Sequence, residues 1–174
     1  PNNDDFFKKV TNIILVSYDV ALKNMAEVGK KLKYKVKICT SCLRGEARDI
    51  GAKISAEINQ AKPKTILLYG GETTVTVKNK GQGGRNLELA LSALSRIENN
   101  SLILTLASDG RDNSDFAGAI ADYLTQQKAA KLNLKPIRYL SENNSYPFYK
   151  KVGDYILTGK TGSNVSDLVI AIKS

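Results

Sequence analysis

Short apolar runs and helically spaced apolar positions alternate along the chain and lay out its elements. Residues 12–18 (Asn-Ile-Ile-Leu-Val-Ser-Tyr) have the length and content of a buried strand. Asp19 is placed to cap a helix whose apolar positions are Leu22, Met25, Ala26, Gly29 and Leu32. Lys35 to Thr40 reads as a second strand. A second helix runs from Glu46 through Ala47, Ile50, Gly51, Ile54 and Ile58 until Pro63 breaks it. Thr65 to Tyr69 is an uninterrupted third strand. Strand–helix–strand–helix–strand order predicts an α/β fold with a mostly parallel or mixed sheet, helices on both faces, in a three-layer, Rossmann-like arrangement.

The second part is richer in loops. Thr73 to Lys78 alternates as a short half-buried strand. The glycine loop Gly81-Gln82-Gly83-Gly84 enters a helix from about Asn86 to Arg96, apolar nearly all round and therefore central. Ser101 to Ala107 is another buried strand. The acidic loop 108–115 is expected to lead into a helix near Phe116, with Asp115 as its cap. Strands Tyr155–Thr158 and Val165–Ile172 close the chain around the loop Gly159–Asn164. The 174 residues fit a single domain, 1–174.

Composition narrows the chemistry. Histidine is absent, which excludes a Ser-His-Asp triad, a Cys-His pair and an imidazole metal site. Two cysteines exclude a disulfide framework and a four-cysteine zinc site, and a cytoplasmic location is the default. No apolar run approaches the roughly 18 residues of a membrane helix. Position 1 is not Met, so the chain reads as an excised or processed piece. The net charge of +9 is uneven: residues 1–64 carry 13 basic and 7 acidic groups, residues 65–174 carry 13 and 10. Lys23, Lys30, Lys31 and Lys33 on a helix face account for much of the excess and read first as a solvated surface, with an anionic small molecule next and nucleic acid last.

Four clusters could carry chemistry. Gly70-Gly71-Glu72-Thr73-Thr74, Lys80 and Gly81–Asn86 form a glycine turn feeding a helix. Unpaired amides at the positive end of the dipole make an anion seat, flanked here by Lys80 and Arg85. Asp109, Asp112 and Asp115 lie in a loop after a strand, where carboxylates serve as Mg²⁺ ligands, as bases, or simply as turn and cap residues. Thr158-Gly159-Lys160-Thr161 is not a Walker A loop. Counting back to Gly153 leaves five residues where four are needed, and a strand follows instead of a helix. Cys39-Thr40-Ser41-Cys42 lacks the helix start of a redox motif and reads as incidental.

Several of these motifs in order resemble the C-terminal domain of the glycerate 2-kinase family, the MOFRL-type proteins often labelled hydroxypyruvate reductase. The likeness runs through Gly70–Val77, Gly83-Gly84-Arg85-Asn86, Glu88–Leu91 and Ser108-Asp109-Gly110 with Asp112. It continues through Asp115 with Ala117–Ala119, Asn143, Ser145–Phe148 and Gly153-Asp154, and ends at Thr158-Gly159, Thr161-Gly162, Asn164-Val165 and Asp167-Leu168. The family-like portion covers about 65–172. Departures are Leu87 for Gln, Asn144 for Asp, Lys160 for Pro, and an acidic loop one residue short between Asp112 and Asp115. Family members also carry an N-terminal α/β domain that this chain lacks.

The resemblance implies transfer of the ATP γ-phosphoryl group to the 2-hydroxyl of D-glycerate, with Mg²⁺, in a cleft shared with that N-terminal domain. Phosphoryl transfer depends on positioning and charge neutralisation, so histidine is dispensable. On this view Arg85 meets the transferring phosphoryl group or the substrate carboxylate. Lys80 and the amides of Gly81, Gly83 and Gly84 hold phosphate oxygens. Asp109 or Asp112 holds Mg²⁺, Glu72 and Asn86 orient the loop, and Asn164 is a further ligand contact. The older reductase label lacks support, because no G-x-G-x-x-G follows a strand. A non-catalytic ligand-binding regulatory domain and, less favoured, a basic nucleic-acid module are the alternatives from other classes.

Overall fold

The computed structural model describes residues 8–11, 13 and 16–174. Helix α1 is Tyr18–Lys31, followed by β1 (Lys35–Leu43), α2 (Ala47–Asn59) and β2 (Thr65–Gly71). Then come α3 (Arg85–Leu94), β3 (Ser101–Ala107), β4 (Gly118–Asp122), α4 (Tyr123–Lys131) and α5 (Pro136–Ser141). The chain ends with α6 (Ser145–Val152), β5 (Tyr155–Ile156) and β6 (Asp167–Lys173). No helix among the described residues is long and apolar enough to cross a membrane.

The strands form one sheet in the order β1-β2-β6-β3-β4-β5. Among the strands of the described residues, only β1 and β2 pair in parallel; β2–β6, β6–β3, β3–β4 and β4–β5 are antiparallel. The mixed form of the expected sheet is therefore the one adopted, and its mostly parallel form is not. The reason is β6, which inserts antiparallel between β2 and β3 and pairs with both along its whole length.

Side-chain alternation divides the sheet into two faces. Leu67 and Tyr69 of β2, Ile103 of β3, Ala119 and Ala121 of β4 and Val169 and Ala171 of β6 pack beneath α2, α3, α4 and α6. Ile66, Leu68 and Leu168 point the other way and meet Leu22 and Ala26 of α1 alone. Helices do cover both faces, but unequally. α3 is the hub: every residue from Asn86 to Leu94 is buried. α2 approaches it closely, since a Cβ on Gly51 would lie 2.3 Å from the Leu89 carbonyl oxygen.

Some local expectations are corrected. The strand expected over 12–18 falls partly outside the described residues; Ile13, Val16 and Ser17 are not in a strand, and Tyr18 already belongs to α1. Ser17, not Asp19, is the N-cap residue of α1, with Asp19 in the first turn. Residues 73–78 make one bridge, Thr74 to Glu46, rather than a strand. The segment after Phe116 is β4, not a helix, so the capping carboxylate is Asp122, which accepts from the Thr125 amide, and not Asp115. The strand at Tyr155 stops at Ile156.

Candidate functional site

A cleft of about 920 Å³ opens where β1, β2 and β3 end and β6 begins. Crevices beyond strand ends are the usual ligand sites of open α/β sheets. One wall is an extended strap from Glu72 to Gly84. The others are Arg44-Gly45 after β1, Asp109–Asn113 after β3, and the start of α3.

Arg85, the first residue of α3, lies at the floor. Its Nε donates to Asp167 Oδ2 at 2.5 Å and its Nη2 to Asp167 Oδ1 at 3.2 Å, while Nη1 meets Glu72 Oε1 at 2.5 Å. Asp167 is nearly buried, at 5% side-chain exposure, whereas Glu72 is 56% exposed. Burial pushes the Asp167 carboxyl up, and the guanidinium only partly offsets this. For Arg85, burial acts downward but its carboxylate partners outweigh it, so the guanidinium is held above its ordinary range. The floor is thus a cation already matched by protein carboxylates, and it differs from the free cationic seat expected from the sequence.

The amide seat at the α3 N-terminus is also filled from within. Asp112 Oδ1 accepts from the Asn86 amide at 3.1 Å, and Oδ2 from the Leu87 amide at 2.8 Å. This carboxylate is buried, and desolvation raises its pKa to about 6 despite the two amides. Asp112, expected as a Mg²⁺ ligand, has both its oxygens on the orphan amides of α3 and so acts here as a cap. Gly84 permits this, because a Cβ there would lie 2.2 Å from the Asp112 carbonyl oxygen and 2.3 Å from Oδ2.

The remaining loop glycines also serve packing first. A Cβ on Gly81 would strike the Glu142 carbonyl oxygen at 2.2 Å, and one on Gly83 the Ser145 hydroxyl at 2.3 Å. Two asparagines pin the strap from below. Asn143 Oδ1 accepts from the Lys78 amide at 2.8 Å and Asn144 Oδ1 from the Gln82 amide at 3.1 Å. At its other end Glu46 accepts from Thr76, through both the amide and the hydroxyl. Among the described residues, no protein acceptor meets the amides of Gly81, Gly83, Gly84 or Arg85.

Of the residues singled out from sequence, Glu72, Gly81, Gly83, Gly84, Arg85, Asp109 and Asp112 line this cleft, and Lys80 and Asn164 do not. Lys80 is exposed, and Asn164 Oδ1 accepts from the Ser166 amide in a local turn. Asn86 is buried beneath the site, its amide group 3.4 Å from Asp112 Oδ1. The loop around Thr161 braces the acidic loop instead of forming a cradle: its hydroxyl donates to the Ser108 carbonyl at 2.5 Å.

Sequence reasoning missed Asp167 as a site residue, although an acid heading the apolar run Leu168–Ile172 was a signal. It also missed Glu88, buried in α3, which accepts from Arg48 (Nη2 at 2.7 Å) and from Asn143 Nδ2 at 3.1 Å. Asp109 keeps one oxygen on the Arg111 amide at 3.0 Å. Among the described residues, no group of three or more His, Cys, Asp or Glu side chains could hold a metal ion.

The MOFRL family matches residues 65–167. The chain is 38% identical, over 94% of its length, to a glycerate 2-kinase of Pyrococcus horikoshii, of which it covers 39%. It is 37% identical, over 83% of its length, to a D-glycerate 2-kinase of Thermotoga maritima, of which it covers 37%. The crystal structure of a Thermotoga maritima glycerate kinase superposes with a TM-score of 0.89 at 33% identity, over 96% of this chain and 44% of that one. The chain thus spans about two fifths of the length of these relatives. Family match, sequence identity and shared fold agree over most of its residues, and the chain belongs to the MOFRL family.

Proposed function

We propose that this chain is the C-terminal domain of a glycerate 2-kinase, which transfers the γ-phosphoryl group of ATP to the 2-hydroxyl of D-glycerate in a cleft completed by an N-terminal domain. The observation that carries this reading is the fork of Arg85. It is gripped by buried Asp167 on one side and exposed Glu72 on the other, beside three amides (Gly83, Gly84 and Arg85) without protein acceptors. Asp167 fixes the guanidinium plane. Glu72 is the replaceable partner, so an incoming phosphoryl or carboxylate oxygen takes its place on Nη1. Such charge-assisted contacts stabilise a transferring phosphoryl group without covalent chemistry.

Mg²⁺ commonly binds through one or two carboxylates, water and substrate phosphates. Asp109, on the cleft wall and without a cationic partner among the described residues, fits one such position. Bound there, the ion would neutralise phosphate charge. Asp112 is committed to α3. The group that accepts the hydroxyl proton belongs to the N-terminal domain on this reading.

Glycerate-dependent ADP formation, measured with this chain joined to the N-terminal domain of a family member, tests the proposal. Arg85→Ala lowers kcat/KM at least ~100-fold, a loss of roughly 2.7 kcal/mol. The isolated chain turns over poorly. Near-wild-type turnover by Arg85→Ala removes the assignment, and full activity of the 174-residue chain alone removes the shared cleft.

A further inference from the structure

Arg85 is neutralised by Asp167 and Glu72, and the α3 N-terminus by Asp112, so neither supplies the cleft with net positive charge. Two other cations line it. Arg44 follows β1 and Arg111 follows β3; both are exposed, and among the described residues neither side chain has a protein partner. In the sheet order, β1 and β3 stand three strand spacings apart, roughly 14 Å. The two arginines thus face the cleft from different walls.

Both are rooted in fixed backbone. Arg44 precedes Gly45 (φ 120°), whose carbonyl accepts from the Thr74 amide at 2.8 Å. Arg111 follows Gly110 (φ 89°), packed so tightly on Gly159 that a Cβ there would lie 1.8 Å from its carbonyl oxygen. The Arg111 amide is also held by Asp109 Oδ1. Two unpaired arginines lining one cleft, each on a held backbone, are suited to planar recognition of oxyanions.

We propose that Arg44 and Arg111 form an anion-gripping pair that takes a phosphate chain or carboxylate of the ligand, separately from Arg85. This deepens the kinase reading and rests on it only for which oxyanion is bound. Calorimetric titration of the chain with tripolyphosphate, and separately with D-glycerate, tests it directly. The variants are Arg44→Gln, Arg111→Gln and their double. Lys30→Gln on α1 removes the same charge far from the cleft.

Each arginine variant weakens binding about tenfold, close to 1.4 kcal/mol. Arg→Lys restores part of it, and Lys30→Gln changes it less than about twofold. Loss confined to tripolyphosphate assigns the pair to a phosphate chain, and loss confined to glycerate assigns it to a carboxylate; either supports the pair. It is overturned if the unsubstituted chain binds neither probe, if the double variant binds as tightly as the unsubstituted chain, or if Lys30→Gln weakens binding equally. Oxyanion binding that depends on both arginines, in a joined protein without glycerate-dependent turnover, would sink the kinase reading and leave the pair standing.

Discussion

Arg85 and Asp167 meet side-on, Nε and Nη2 of the guanidinium against the two carboxylate oxygens, at 2.5 and 3.2 Å. The pair joins the first turn of α3 to the first residue of β6, so the cleft floor and the sheet are fastened at one point. Removing one partner strands the other. Arg85→Ala leaves a nearly buried carboxylate without its cation and costs about 2–3 kcal/mol in urea denaturation. Arg85→Ala with Asp167→Leu recovers much of that stability without recovering activity. A single substitution that leaves the unfolding midpoint unmoved would separate the pair from stability.

Asp112 makes stability depend on pH in an unusual direction. Its folded pKa is pushed up to about 6 by burial, above its unfolded value. At intermediate pH the folded chain retains a proton that the unfolded chain has released. Stability therefore falls as pH rises through that window, by up to about 3 kcal/mol from this group once both states are ionised. Burial pushes Asp167 in the same direction. Urea denaturation at about pH 4 and pH 7 checks this: Asp112→Asn removes its share of the fall, and an unchanged slope contradicts the assignment.

Gly84 is required by contact, since its φ of −146° is open to any residue. Gly84→Ala drives a methyl group into the Asp112 carboxylate and displaces the cap. The expected cost is about 2 kcal/mol or more, combining overpacking with the lost cap. Amide exchange at Asn86 and Leu87 accelerates most. Protection at those two amides equal to that of the unsubstituted chain would show that the carboxylate stays in place.

Glu88 and Asn143 connect α3 to the strap. Asn143→Ala removes the acceptor of the Lys78 amide and a donor to Glu88, at a residue with φ 51° that favours asparagine. Exchange at Lys78 rises at least about tenfold, matching a loss of roughly 1.4 kcal/mol of local protection, while the β3 amides stay protected. Uniform acceleration across the chain would mean global destabilisation instead.

How much of this was legible follows from how local each signal is. The apolar run Ser101–Ala107 became β3 with those bounds, and the glycine entry to α3 and the acidic loop do meet in one cleft. Ala117–Ala121 was misread because small residues suit helix and strand alike. Tertiary packing decided: Ala119 and Ala121 are buried in the core that α3 shares, and Gly118 lies against the Thr105 carbonyl. The pairing of Arg85 with Asp167 and of the Leu87 amide with Asp112 was hidden because these partners lie 82 and 25 residues away, beyond any local pattern.

The position of β6 bears on biosynthesis. This strand joins β2 to β3, yet it is translated after every other strand of the sheet. While a ribosome still holds residues 167–173, the β1–β2 ribbon and the β3–β5 meander have no seam, and Arg85 has no Asp167. Sheet completion and assembly of the cleft floor therefore both depend on the same seven residues.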